Sequence, residues 1–211
     1  MSAKVVKPSA TRTQKRSRHT RQRLQQAALD VFAEKGWDAT TVEDITQKAD
    51  LGKGTLYRHF SDKEEILVTL VDQAVDHLSK LLTERSAEID TLEDVLEHYL
   101  TAHYEFYREN SEEFILLFQG RVLLKLQSES PGDLEEPYIR YLQTIEEEIR
   151  PYLSPRIDPL KIRRLACAVA GFIFGFFSFA MIGMEPDEIE TSIKPLRRAF
   201  VRSLCTFLGR E

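Results

Sequence analysis

Residues 36–67 read GWDATTVEDITQKADLGKGTLYRHFSDKEEIL, and this stretch decides the fold. Thr41 and Asp44 form the T-x-x-D start of a capping box, in which the hydroxyl takes an unpaired amide of the first turn and the acid reaches back. The helix they open runs from Val42 to Ala49. Asp50-Leu51-Gly52 makes a turn, since Asp tolerates the left-handed backbone and glycine is accepted ahead of a helix. A second short helix follows, Lys53–Phe60, and Ser61 with Glu64 caps a long one reaching about Thr83. Ile45, Ala49, Leu51, Leu56 and Phe60 are the apolar positions that pack these helices together. Lys53, Thr55, Tyr57, Arg58 and His59 face away, and they are residue types that bond base edges and phosphates. Gly54 weakens a short helix, and close approach to a DNA backbone or groove floor is one reason to place it there. The unit is a helix-turn-helix whose second member, Lys53–Phe60, enters the major groove.

Upstream, Leu24, Ala27, Ala28, Val31 and Phe32 draw one stripe along a helix Thr20–Lys35 that stops at Gly36. Residues 1–17 read as a disordered basic arm; either it meets phosphates or a minor groove, or it is merely a solvated tail. The charge supports a polyanion partner at this end alone. Residues 1–60 hold 12 Lys+Arg against 6 Asp+Glu, and residues 61–211 hold 17 against 28. No apolar stretch follows the early basic residues, so they are not a secretory signal.

Downstream, start signals recur: Thr91-x-x-Asp94, Asn110-x-x-Glu113, a Ser-Pro-Gly break at 130–132 before a helix Glu135–Tyr152, and Asp158-Pro159 before a helix through Met181. A last helix spans Asp187–Leu208. Period-2 alternation is missing, so the fold class is all-α: an N-terminal three-helix DNA-binding domain at 18–64, then a larger helical domain at 65–211. Cys167 and Cys205 sit in apolar runs and read as buried free thiols.

The segment 36–67 resembles the N-terminal signature of the TetR/AcrR family of transcriptional regulators. The resemblance rests on an aromatic after Gly36, Thr-Val-x-x-Ile at 41–45, Lys-Gly-Thr-Leu-Tyr-x-x-Phe at 53–60 and Ser-Asp-Lys-Glu at 61–64. Asp50 stands where Gly is commoner, and Gly52 where a Ser or Thr usually caps the reading helix. The resemblance implies a phosphate contact for Thr41, base-edge contacts for Lys53 and Thr55 with Gly54 beside them, and phosphate contacts for Tyr57, His59 and Lys63. Lys63 has a physical argument of its own, because a cation in the first helical turn opposes the macrodipole unless a phosphate lies above it. The alternative is an ion pair with Asp62 or Glu64. Gly52-Lys53-Gly54-Thr55 is not a phosphate-binding Walker loop, which needs Gly at 47 and Ser or Thr at 54.

For the larger domain the resemblance implies effector binding and dimerisation. Its aromatic residues suit an apolar or aromatic ligand, with Phe106, Tyr107, Phe114, Phe118, Tyr141, Phe172 and Phe176 as lining candidates; each also reads as ordinary core. Arg121, in an apolar stretch, pairs either with an anionic head group or with a Glu on a neighbouring helix. Gly171, Gly175, Phe179, Leu196, Phe200 and Leu204 are the dimer candidates, since two half-sites need two copies. The expected protein is thus a cytoplasmic, homodimeric regulator, a repressor. A small ligand releases it from a palindromic double-stranded operator, with no cofactor, no metal, no membrane and no catalysis. Two rivals stand beside it. Residues 165–184 are uncharged and carry a Gly-x-x-x-Gly pair, which suits a membrane-anchored DNA-binding sensor. The other rival, an all-α enzyme with a basic head, needs a catalytic cluster; Asp94, His98 and His103 offer only poor metal-ligand spacing.

Overall fold

A computed structural model describes residues 12–84, 89–126 and 132–208. Among these residues the chain forms nine α-helices, a single 3-10 turn at Arg150–Tyr152, and no strand. The helices are α1 (Arg12–Lys35), α2 (Val42–Lys48), α3 (Lys53–Leu56), α4 (Lys63–Thr83), α5 (Leu92–Glu109), α6 (Ser111–Leu126), α7 (Gly132–Ile149), α8 (Pro159–Gly183) and α9 (Pro186–Leu208). The chain divides into two compact units between Leu70 and Val71, inside α4 and six residues beyond the boundary expected at 64/65.

Local chemistry sets most of the ends. Gly36, at φ 77°, closes α1 with its amide on Phe32 O at 2.9 Å. The Thr41–Asp44 box is complete, with Thr41 Oγ1 accepting from Asp44 N and Asp44 Oδ2 accepting from Thr41 N. Asp50, at φ 51°, adopts the left-handed conformation expected of the turn. Among the boundaries that differ from the sequence reading, two helix starts are instructive. The first is α1, which begins at Arg12, so residues 12–17 are helical; residues 1–11 of the expected arm lie outside the described residues. The second is α4, which starts one residue later than a Ser61–Glu64 box implies. Asp62 Oδ1 accepts from Glu65 N at 2.8 Å, and Glu65 Oε2 accepts from Ser61 N at 2.7 Å.

In the first unit, Leu24, Ala28 and Phe32 of α1 are buried with Ile45, Leu56, Phe60 and Ile66. Trp37 is buried too and tilts against Phe32 at 5.4 Å between ring centres. Leu51 is only half-buried.

In the second unit, Thr91 caps α5 and Asp158 caps α8, the latter with Pro159 in the first turn. Helix α8 packs against α5, α7 and α9. It is long and apolar enough to cross a membrane, but Leu165, Val169, Ile173, Phe177 and Ala180 are buried within the unit. That packing gives the membrane-anchored reading no support. Cys167 falls on the outward side of α8 and is exposed, and Cys205 is half-buried, so neither is the core residue that its apolar neighbours suggest.

Candidate nucleic-acid interface

The expected reading helix is shorter than its residue types imply. Regular α-helix spans Lys53–Leu56, and Tyr57 to His59 continue as turns closed by His59 N donating to Leu56 O at 2.8 Å. Gly54 and the β-branched Thr55 disfavour helix here. Gly52 caps it at φ −82°, ψ 151° with no side-chain bond, a loss of only a few tenths of a kcal/mol relative to a hydroxyl cap.

The outward face carries the candidates. Lys53 and Gly54 are exposed, Thr55 and His59 are half-buried, and Tyr57 is 56% exposed, unusual for so large an apolar ring. A methyl group at Gly54 would meet nothing within 4 Å, so packing within the chain gives no reason for glycine there. Lys53 pairs with Glu43, both more than half exposed. An exposed pair is worth about 0–1 kcal/mol, so Lys53 is released for another anion at little cost. Arg58 donates to Thr55 Oγ1 at 3.1 Å, leaving the threonine hydroxyl proton free to donate.

Thr41 and Lys63 are more committed. Thr41 Oγ1 donates to Asp44 Oδ2 at 2.8 Å besides accepting from Asp44 N. The ammonium of Lys35 beside Asp44, with these Thr41 bonds, holds the Asp44 carboxyl down at about 2. Among the described residues Lys63 forms no ion pair with Asp62 or Glu64. Its Nζ donates to Trp37 O at 3.0 Å and Thr40 O at 2.8 Å, and lies 4.4 Å from the centre of the Trp37 ring. One of its three donors remains for an anion.

Sequence reasoning missed the residues that hold this unit in place. Arg23 Nη2 donates to Ala49 O at 2.6 Å, where the last carbonyls of α2 gather the negative end of the helix dipole. Arg21 Nη1 donates to His59 O at 2.8 Å, with its guanidinium 4.1 Å from the Phe60 ring centre. The signal in the sequence was two arginines on the helix that packs against the reading unit.

In the second unit the expected lining residues separate into three groups. Phe114 and Phe118 line a cavity of about 310 Å³ together with Ile115, Gln119, Ser178 and Met181. Tyr107 stacks on Phe177 at 4.4 Å and meets Phe114 edge-on. Arg121 lies over Phe118 and Phe174, 5.4 and 5.6 Å from their ring centres, and among the described residues it has no carboxylate partner. Phe106 and Tyr141 belong to the core, being 0% and 4% exposed. Phe172 and Phe176 are turned toward α9 and Phe177 respectively, with Phe172 stacked on Phe200 at 4.4 Å. A second cavity, of about 540 Å³ and including Leu92, Tyr152, Arg156 and Cys205, contains none of the expected residues.

Of the dimer candidates, Gly171 and Gly175 have open space where a Cβ would lie, and Phe179 is 77% exposed. Leu196 is exposed, whereas Phe200 and Leu204 are half-buried. Among the described residues no group of His, Cys, Asp or Glu is placed to hold a metal. Asp94 is used in the Thr91 cap, His98 contacts Leu82 O, and His103 is buried against Tyr99 O and Tyr141 Oη, each at 2.6 Å.

Residues 24–70 match the family model described as "Bacterial regulatory proteins, tetR family". The chain is 42% identical over 65 residues to the HTH-type transcriptional regulator YxbF of Bacillus subtilis, a match covering 28% of this chain and 17% of that protein. It is 26% identical over 190 residues to the HTH-type transcriptional regulator AcrR of Shigella flexneri, covering 86% of this chain and 87% of AcrR. The fold resembles that of the transcriptional regulator FadR from Bacillus subtilis, solved in complex with stearoyl-CoA. The TM-score is 0.65 at 19% identity, covering 89% of this chain and 96% of FadR.

Proposed function

We propose, from the premise that this chain belongs to the TetR/AcrR family of transcriptional regulators, that it acts in the cytoplasm as a homodimeric repressor released from a palindromic operator by a small ligand. One observation carries the DNA-binding part: α3 and the turn after it expose Lys53, Gly54 and Tyr57 with Thr55 half-exposed between them, and nothing inside the chain requires the glycine. Lys53 and Thr55 read base edges, with Gly54 admitting the groove floor. Tyr57, His59 and the third donor of Lys63 hold phosphates, as does Thr41 once its hydroxyl proton turns from Asp44; such contacts position the helix without reading sequence.

Dimerisation is supported by the outward sides of α8 and α9. Phe179 and Ile182 are 77% and 82% exposed, Leu196 and Phe207 are exposed as well, and the open glycines 171 and 175 allow close approach. Two copies related by a two-fold axis set their reading helices about 34–36 Å apart, one turn of duplex. The aromatic cavity that includes Phe114 and Phe118 supports an apolar or aromatic effector, with the Arg121 guanidinium beside it for an anionic group. FadR, a regulator of similar fold solved with stearoyl-CoA, supports a small-molecule effector. An effector that fits a wider-spaced state better shifts the population to that state and frees the DNA.

The test is selection of binding sites from random duplexes, followed by a ligand screen for release. The expected product is an inverted repeat, bound more weakly by Lys53→Ala and Tyr57→Phe. Unchanged affinity in both variants would remove the assignment.

A further inference from the structure

The first buried side chain of α1 is Leu24, yet the helix begins twelve residues earlier at Arg12. Residues 12–19 are all exposed, and at 1.5 Å per residue they add about 12 Å of helix that buries nothing. They carry Arg12, Lys15, Arg16, Arg18 and His19 and no acid. Among the described residues none of these side chains has an ion-pair partner. The helix works against its own charges: cations crowd the first turns, where the macrodipole is positive, and Arg12 and Arg16 repel at i, i+4. A partner that reverses both penalties is a polyanion.

The direction of the charge says which one. Arg12, Arg16, His19 and Arg23 are spaced 4, 3 and 4 apart and so share one line along α1. The last of them, Arg23, donates to Ala49 O at 2.6 Å and reaches Asp50 O at 3.5 Å, in the turn that leads into α3. The basic line therefore runs outward from the base of the reading helix, within the same unit.

We propose that residues 12–19 are a second DNA-contact element, a helical rail that holds backbone phosphates flanking the half-site that α3 reads. This rests on the DNA-binding reading above. It adds affinity without adding sequence preference, and it lengthens the protected stretch by about three to four base pairs per half-site, at 3.4 Å per step.

The experiment uses the full chain and the quadruple variant Arg12→Gln, Lys15→Gln, Arg16→Gln, Arg18→Gln, in which glutamine preserves helix propensity. The probe is the duplex recovered by site selection, either trimmed at the half-site edges or extended by six base pairs of arbitrary sequence on each side. Affinity is read by fluorescence anisotropy from about 50 to 200 mM salt. The parent should bind the extended duplex at least tenfold more tightly. In the variant that gain disappears, and the salt slope shrinks by about 0.9 for each phosphate released. A variant that keeps the flank gain and the slope overturns the rail. So does a variant whose defect is equal on trimmed and extended duplexes. A parent that binds no duplex at all overturns the regulator reading instead.

Discussion

Replacing Gly54 by alanine should move stability and DNA affinity in opposite directions. In the free chain a methyl group at this position meets nothing within 4 Å. Alanine therefore costs no packing, and it removes the entropy that glycine loses in a helix, about 0.5–1 kcal/mol. For a chain of this size that raises the melting temperature by about 1–4 °C. On DNA the same methyl group points at the surface α3 presents. If the helix approaches the groove as closely as glycine permits, the overlap costs about 1–3 kcal/mol in each half-site, a loss of at least fivefold. Thermal melts and anisotropy titrations on one preparation read both signs. An alanine variant that is stabilised and binds as tightly as the parent would refute the reasoning, because Gly54 would then have no role in either state.

Lys63→Met keeps the stem of the side chain but deprives the Trp37 and Thr40 carbonyls of their donor. It should cost about 2–3 kcal/mol in urea unfolding, and a loss below about 0.5 would show that water replaces the ammonium freely. Gly120→Ala should destabilise by about 1–3 kcal/mol despite its better helix propensity. A methyl there would sit 2.6 Å from Tyr138 Oη, which is held on Leu117 O, and 3.2 Å from Val71 Cγ2; a raised melting temperature would contradict this. Burial holds the imidazole of His103 at about 4, below its ordinary 6.5, so the folded chain keeps it neutral while the unfolded chain protonates it. Its contribution is complete above about pH 6.5, falls as pH drops toward about 4, and totals about 3 kcal/mol. The stability difference between parent and His103→Asn should narrow across that window at fixed protein concentration; a difference independent of pH would count against it.

How far the sequence could be read depended on how local each cause was. The Thr41–Asp44 box, the left-handed Asp50, the Gly36 stop and the Asp158 cap are settled within four residues, and all were legible. The start of α1 was not, because Arg12–Thr20 contains no apolar residue and so has no periodicity to detect. The two carbonyl partners of Lys63 were not legible because they lie 23 and 26 residues away. The aromatics of α8 divide by helical phase: Phe174 and Phe177 face the core, whereas Phe172 turns to Phe200. Composition alone does not supply that phase without knowing which neighbours cover the helix. Cys167 went the same way, apolar in context yet on the outward face.

The two carbonyls that share the Lys63 ammonium also make the segment between α1 and α2 a spacer of set length. Connections between helices ordinarily accept an added residue at little cost. Here one insertion between Gly36 and Thr40 displaces a carbonyl by up to about 3.8 Å, while a hydrogen bond survives only near 2.7–3.2 Å. The ammonium reaches one carbonyl or the other, but not both. In a library of insertions and deletions, residues 36–40 should therefore be as intolerant as a core helix, although they form a loop.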